Sequence, residues 1–147
     1  MSRTLNELLT ELEGIYKQIP QFDCPPSGCN SCCGPVQWEL IEEINIRRYL
    51  NKNRMKYIFK KLSLSDPTCP YSVEKRCIIY PVRPLICRCF GVVTDPLMRC
   101  PFKPKNRITI TPEKTQKLMK RIRMLSNEVP KSTYERLTKW REKYKPT

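Results

Sequence analysis

Nine cysteines crowd into residues 24–100, and the segments that carry them are studded with proline. The first run reads Cys24-Pro25-Pro26-Ser27-Gly28-Cys29-Asn30-Ser31-Cys32-Cys33. The second reads Cys77-Ile78-Ile79-Tyr80-Pro81-Val82-Arg83-Pro84-Leu85-Ile86-Cys87-Arg88-Cys89, with Cys69 between the runs and Cys100 just after. Proline fixes φ and removes a backbone donor, so such segments form neither long helices nor wide sheets. Side chains must hold them instead, and thiolates on a metal are the economical means.

A chain of 147 residues is most simply one domain with extensions, with a modest core that a metal would reinforce. No apolar run approaches the ~18–20 residues of a membrane span. Glu7, Glu11 and Glu13 interrupt the stretch from Leu5 to Ile19, so it does not read as a signal peptide. The expected location is therefore cytoplasmic, with no membrane partner. Thiols stay reduced there, and nine cysteines read as metal ligands rather than disulfides. Histidine is absent, which excludes His-containing zinc sites and a His general base. Acid–base chemistry near neutrality would fall to a perturbed Cys, Lys or Glu. No Gly-rich phosphate loop and no Ser/His/Asp set is present, so the sequence leans away from an enzyme.

The net charge is +14 and is unevenly placed. Residues 1–102 carry 14 basic and 10 acidic side chains, whereas residues 103–147 carry 14 basic and 4 acidic ones. This composition divides the chain into a cysteine-cluster domain with an N-terminal helix, 1–104, and a basic helical arm, 105–147. Polyanions are the expected partners, RNA or a ribonucleoprotein such as the ribosome foremost. The expected contacts are Lys114, Lys117, Lys120, Arg121, Arg123, Lys131, Lys139, Arg141, Lys143 and Lys145.

Apolar spacing predicts a helix over 3–19, opened by a Thr4–Glu7 capping box and ended by Pro20. A second helix is expected over 36–50, with Trp38 closing over the cysteine run, and a third over 52–62. Ile78-Ile79-Tyr80 and Arg107-Ile108-Thr109-Ile110 read as short strands. Thr111 caps a helix opened by Pro112 and striped by Leu118, Ile122 and Leu125. After Val129-Pro130, Ser132 is expected to cap a last helix bearing Tyr134, Leu137, Trp140 and Tyr144. The fold class is thus small and mostly α, with helices around a loop-rich, metal-stabilised cysteine core and little β.

Cys29-x-x-Cys32 is the usual spacing for two ligands on one metal, because the turn between them lets both sulfurs converge at about 2.3 Å from it. Neighbouring side chains diverge, so Cys33 can serve a second metal, a cluster corner, or the core as a buried thiol. Four thiolates on Zn²⁺ leave a net charge of about −2. Arg83 and Arg88, beside the second run, can offset that charge and donate to sulfur.

At these residues the sequence resembles the YkgJ-like cysteine-cluster family, whose name describes a zinc- or iron-chelating domain of the CxxCxxCC type. The resemblance rests on Phe22-Asp23-Cys24, on Cys29, Cys32 and Cys33, on the Glu-rich stretch from Glu39 to Leu50, and on Cys69-Pro70. It rests most on Cys77-Ile78-Ile79-Tyr80 and Arg83-Pro84-Leu85-Ile86-Cys87-Arg88. Two features depart from the family pattern. Four residues rather than two separate Cys24 from Cys29, and Cys89 and Cys100 are additions. The resemblance implies metal binding, by Zn²⁺ or an iron–sulfur cluster. The ligand set expected from it is Cys29, Cys32, Cys33, Cys69, Cys77 and Cys87, then Cys24, with Tyr80, Arg83 and Arg88 around them. Larger relatives, the flagellin lysine methylases, carry this cluster in an enzyme.

Three functions remain open at this level. The first is a non-catalytic metal module that associates with RNA through the basic arm. The second is an iron–sulfur enzyme or redox protein. The third is a protein that stores or transfers zinc or iron.

Overall fold

The structure, a computed structural model, describes residues 2–21, 28–29, 33–34, 37–55, 68–102 and 108–143, and at 138 and 140–143 the backbone alone. Its helices are α1 (Leu5–Tyr16), α2 (Leu40–Lys52), α3 (Leu85–Cys89), α4 (Pro112–Asn127) and α5 (Lys131–Lys143). A two-stranded antiparallel hairpin, β1 (Ser72–Val73) and β2 (Arg76–Cys77), precedes α3. The fold is mostly α, as the spacing predicts.

Local chemistry sets the helix ends. The Thr4 hydroxyl accepts from the Glu7 N–H at 3.2 Å, and the Glu7 carboxylate accepts from the Thr4 N–H at 2.7 Å. The helix stops at Tyr16 rather than running to Ile19. Gln18 and Ile19 close tight turns on the carbonyls of Ile15 and Tyr16, and a residue preceding proline is pushed out of the helical region. Pro112 opens α4, and the Thr111 hydroxyl accepts from the Lys114 N–H at 3.2 Å.

Four details differ from the sequence expectation. The second helix begins at Leu40, because residues 37–39 are extended. Ile78-Ile79-Tyr80 is no strand: a turn leads into a 3₁₀ segment at Tyr80–Val82, where Pro81 cannot donate to a ladder. Of the strand expected over 107–110, residue 107 lies outside the described residues, and among 108–110 Ile110 pairs, as an isolated parallel bridge to Val93. The last helix starts on the Pro130 carbonyl, which accepts from Thr133 and Tyr134, so Ser132 lies inside the first turn. Of the expected third helix, Lys52 closes α2, Met55 is non-helical, and 56–62 lie outside the described residues.

Two apolar clusters result. The larger joins Leu8, Leu12 and Ile15 of α1, Ile41 of α2, Leu85 and Cys89 of α3, and Leu118, Ile122 and Leu125 of α4. The smaller joins Ile46 and Leu50 of α2 to Tyr71 and Ile79, with Trp38, Cys69 and Cys77 packed against it. Helix α2 serves both clusters, and the cysteine segments lean on the smaller one.

Helix α4 closes the larger cluster although its composition belongs to the basic stretch. The Ser126 hydroxyl accepts the Ile41 N–H at 3.1 Å, which satisfies a donor at the start of α2. Ion pairs cross the same seam: Arg121 to Glu11 at 3.4 Å, Arg123 to Glu39 at 3.0 Å, and Arg3 to both Glu11 and Glu128. Packing therefore runs across the composition boundary near residue 104. Among the described residues no helix is long and apolar enough to cross a membrane.

Candidate metal centre

Backbone bonds tie the first cysteine run to the segment that precedes the second. Between β1 and β2, Glu74 and Lys75 both adopt left-handed conformations, φ 50 and 62. This is the two-residue turn whose twist matches that of the paired strands. It aims the Lys75 carbonyl at the first run, where the Cys29 N–H donates to it at 2.8 Å. Four residues on, the Cys33 carbonyl accepts the Cys69 N–H at 2.9 Å. The first run is thus clipped to the 69–75 segment at two points.

Glycine is required at the first clip. Gly28 sits at φ +85, and a Cβ there would stand 3.0 Å from the Lys75 carbonyl oxygen. Gly28→Ala is expected to cost about 2 kcal/mol, since it combines a left-handed penalty with displacement of the Cys29–Lys75 bond. A denaturant titration of the metal-free protein checks this, and an unchanged midpoint would show that the clip carries no stability.

Glu42 fixes the second run. This carboxylate is 3 % exposed. Its Oε1 accepts the Leu85 N–H at 2.7 Å and the Tyr16 hydroxyl at 2.9 Å, and its Oε2 accepts the Glu39 N–H at 2.9 Å. Leu85 is the first residue of α3, so this bond sets the helix that carries Cys87. Burial pushes the Glu42 carboxyl above its ordinary value, partly offset by these three donors. Burial and the Glu42 charge push the Tyr16 hydroxyl far up, so it remains a donor.

Burial raises three thiols of this region. Burial raises the Cys69 thiol, and the Cys33 charge adds to that rise. Burial carries Cys77 to about 11, with Cys33 and Cys69 adding to it. Burial carries Cys87 to about 12, with Cys69, Cys77 and Cys33 adding to it. Arg83 acts the other way on both Cys77 and Cys87. The four cysteines come from four separate places in the chain. Cys69, Cys77 and Cys87 are not in disulfides.

The arginines are held to the same segment. The Arg83 guanidinium lies 3.6 Å above the Tyr80 ring, its Nε donates to the Tyr80 carbonyl at 3.0 Å, and its Nη2 donates to Gln21 Oε1 at 2.8 Å. The Arg88 guanidinium lies 4.1 Å over the Tyr16 ring and donates to the carbonyls of Arg83 and Pro81 at 2.7 and 3.0 Å. Trp38 packs beside Tyr71, ring centroids 6.5 Å apart, and donates to the Glu43 carboxylate at 2.6 Å.

The model of the CxxCxxCC family, described as a zinc- or iron-chelating domain, matches residues 23–101. The chain belongs to this family. The matched span holds all nine cysteines, α2, the hairpin and α3. No curated protein and no solved structure matches the chain.

In this CxxCxxCC domain the donors fit a soft metal: thiols alone, with Arg83 beside them and no imidazole. Among the described residues no three Cys, Asp or Glu side chains form a ready-made ligand group, and Cys24 and Cys32 lie outside the described residues. Of the expected ligands, Cys33 is bonded through its carbonyl to the Cys69 N–H, Cys69 and Cys77 pack against the smaller apolar cluster, Cys87 lies on α3, and Cys29 is tied to the hairpin turn. Cys89 is apart from them. It is fully buried in the larger core, where burial and the Glu42 charge raise its thiol to about 12. Cys100 is half-buried.

The basic residues outside the CxxCxxCC span sort into two groups. Lys114, Lys117 and Lys120 are exposed on α4. Arg121 and Arg123 are spent on Glu11 and Glu39, and Lys131 pairs with Glu135 at 3.9 Å within α5. Lys139 is exposed, whereas the side chains of Arg141, Lys143 and Lys145 lie outside those described, as do those of Trp140 and Tyr144.

Glu42, Gly28 and Gln21 escape the sequence reading. Glu42 stands four residues before the buried Ile46, in the register of a buried stripe, and that spacing is the available signal.

Proposed function

We propose that the chain is a metal-binding module in which Cys33, Cys69, Cys77 and Cys87 hold Zn²⁺ or an iron–sulfur cluster, with Cys29, Cys32 and Cys24 as the neighbouring ligands. One observation carries the reading: backbone bonds clip the first cysteine run to the 69–75 segment, and Cys69 and Cys77 pack on one small apolar cluster. When bound, the metal supplies a charged cross-link between loops that lack a backbone ladder of their own. The protein's part is to aim the thiols. Glu42 sets α3, the Lys75 carbonyl sets Cys29, and Arg83 lowers the cost of clustered negative charge.

Anaerobic purification with elemental analysis and a visible spectrum tests the reading. Stoichiometric zinc in colourless protein, or iron with sulfide in brown protein, supports it. Metal-free protein from cells replete in both, unable to take up either, overturns it.

The module is further proposed to associate with RNA or a ribonucleoprotein. The supporting observation is that Lys114, Lys117 and Lys120 are exposed and, among the described residues, make no ion pair. Core packing gives them a rigid platform. Each phosphate neutralised contributes ~0.7–0.9 to the log–log salt slope. The triple variant K114Q/K117Q/K120Q should therefore bind structured RNA more weakly, with a slope shallower by about 2–3. Unchanged affinity and slope would remove the α4 face from any RNA contact.

A further inference from the structure

A groove of about 940 Å³ runs between α1, α2 and the 3₁₀ segment at Tyr80–Val82. Four cations line it, Lys17, Arg48, Lys52 and Arg88, against one carboxylate, Glu13. Glu13 is already paired with Lys17 at 3.5 Å. Among the described residues no carboxylate forms an ion pair with Arg48, Lys52 or Arg88. On α4 the fold does the opposite and neutralises Arg121 and Arg123 with Glu11 and Glu39.

Arg88 is also unusual in its setting. Its guanidinium is fixed on the carbonyls of Pro81 and Arg83 and over the Tyr16 ring, and its closest charged neighbour of like sign is Arg83. A rigid, partly desolvated cation of this kind, offset only in part by the buried Glu42 carboxylate, favours a further anion. The opposite wall holds Arg48 in place through a bond to Asn6 Oδ1 at 2.9 Å. Concavity, oriented cations and a shortage of ion-paired carboxylates coincide in this groove. Its volume is that of a small-ligand site, ample for a mononucleotide.

We propose that this groove binds a phosphate-bearing ligand of nucleotide size, with Arg48, Lys52 and Arg88 as its phosphate contacts and Asn45 on the wall between α1 and α2. The groove reaches the flank of the thiol cluster through Arg88 and is distinct from the lysine face of α4. Helix α4 packs on the Leu8/Leu12/Ile15 side of α1, whereas the groove uses the Asn6/Leu9/Glu13 side.

Equilibrium dialysis of the full, metal-loaded chain at low salt tests the proposal, with ADP, inorganic pyrophosphate and adenosine as probes. The expected result is one saturable site for ADP and none for adenosine. Pyrophosphate binding as tightly as ADP would show that the phosphates supply the affinity. Weaker pyrophosphate binding would show that the nucleoside contributes, and either outcome supports the site. R48Q/K52Q should weaken ADP binding at least about tenfold, whereas K117Q/K120Q, which removes the same charge from α4, should change it less than twofold. N45L, which alters shape without charge, should also weaken it. Amide shifts on ADP addition should centre on α1, α2 and residues 80–88. Absence of saturable ADP and pyrophosphate binding overturns the proposal, as does an equal loss in K117Q/K120Q. Metal content and RNA titrations of R48Q/K52Q report separately on the other two readings.

Discussion

Stripping the metal from the loaded protein should unfold the cysteine segments and lower the stability of the whole chain by most of its total. Thiolate-bound structural zinc contributes ~10–16 kcal/mol of apparent binding free energy in small domains. A domain of ordinary stability has only ~5–15 kcal/mol in all. Few interactions stand in for the metal here. The hairpin is two residues per strand, and the smaller apolar cluster has four fully buried members. Cys87→Ser and Cys77→Ser should each abolish stoichiometric metal. Cys89→Ala should keep the metal while it costs core packing, because Cys89 is fully buried among Leu8, Leu12 and Leu118 rather than with the other thiols.

The pH dependence has a definite sign. Cys77 and Cys87 stand at about 11 and about 12 in the metal-free fold, above the ordinary 9.0. At neutral pH their protons must leave for metal to bind, so apparent affinity rises with pH and binding releases protons. In the metal-free form the folded thiols hold protons that the unfolded chain gives up earlier. That form therefore loses stability as pH climbs through the window above 9.0. Calorimetry in buffers of different ionisation enthalpy measures the released protons. A metal-free chain that melts as high and as cooperatively as the loaded one would end the structural-metal reading.

Replacing Glu42 should be the most damaging change outside the thiols. Glu42→Ala leaves the Tyr16 hydroxyl and the Leu85 N–H without their acceptor in the core. Each buried donor left unpaired costs ~1–3 kcal/mol, and the Glu39 N–H, nearer solvent, adds less. A loss of about 3–5 kcal/mol follows, with α3 set adrift and metal uptake slowed. Glu42→Gln keeps one acceptor oxygen and should lose about half as much.

The two variants also expose a titration. The folded pKa of Glu42 is raised, chiefly by burial. Its stabilising contribution is therefore complete below the unfolded value of about 4.3 and declines as pH rises through the folded value. Glu11 behaves in the opposite sense. The Arg3 guanidinium holds it down, so its smaller, solvent-screened contribution is lost on acidification. The advantage of wild type over Glu42→Gln should accordingly be greatest near pH 4–5 and shrink toward pH 8. Denaturant midpoints across that range give the answer, and an advantage that grows with pH would refute the assignment.

Much of the fold is legible because its signals are local. Thr4 with Glu7, Thr111 with Pro112, and the Leu118–Ile122–Leu125 stripe each specify a helix end or face without help from distant residues. The strand expected at Ile78–Tyr80 fails for a reason of the same kind. β-Branched residues favour a strand, but the turn at Glu74–Lys75 confines the pairing to Ser72–Cys77, just before Ile78, and it uses φ > 0 at non-glycine residues that carry no sequence mark. The site is less legible. The family pattern puts Cys87 in the ligand set and leaves Cys89, two residues on, as an addition, without saying where Cys89 goes. The packing of a five-residue helix pinned by Glu42 buries Cys89 in the larger core. Charge counting likewise groups Arg121 and Arg123 with Lys114, Lys117 and Lys120. Only the approach of α1 and α2 shows that the arginines already have partners.

The role of α4 as the closing wall of the larger core bears on how the protein is made. Leu118, Ile122 and Leu125 follow the last cysteine of the cluster by some thirty residues, yet α3 cannot be buried before they arrive. At ~5–20 residues per second of synthesis, the thiols emerge seconds before the surface that shelters them. During that interval α3, which carries Cys87, has no closed core to dock against. Premature oxidation or capture of the wrong ion is therefore a hazard of the nascent chain, and any factor that delivers metal would meet its best-exposed target on the ribosome.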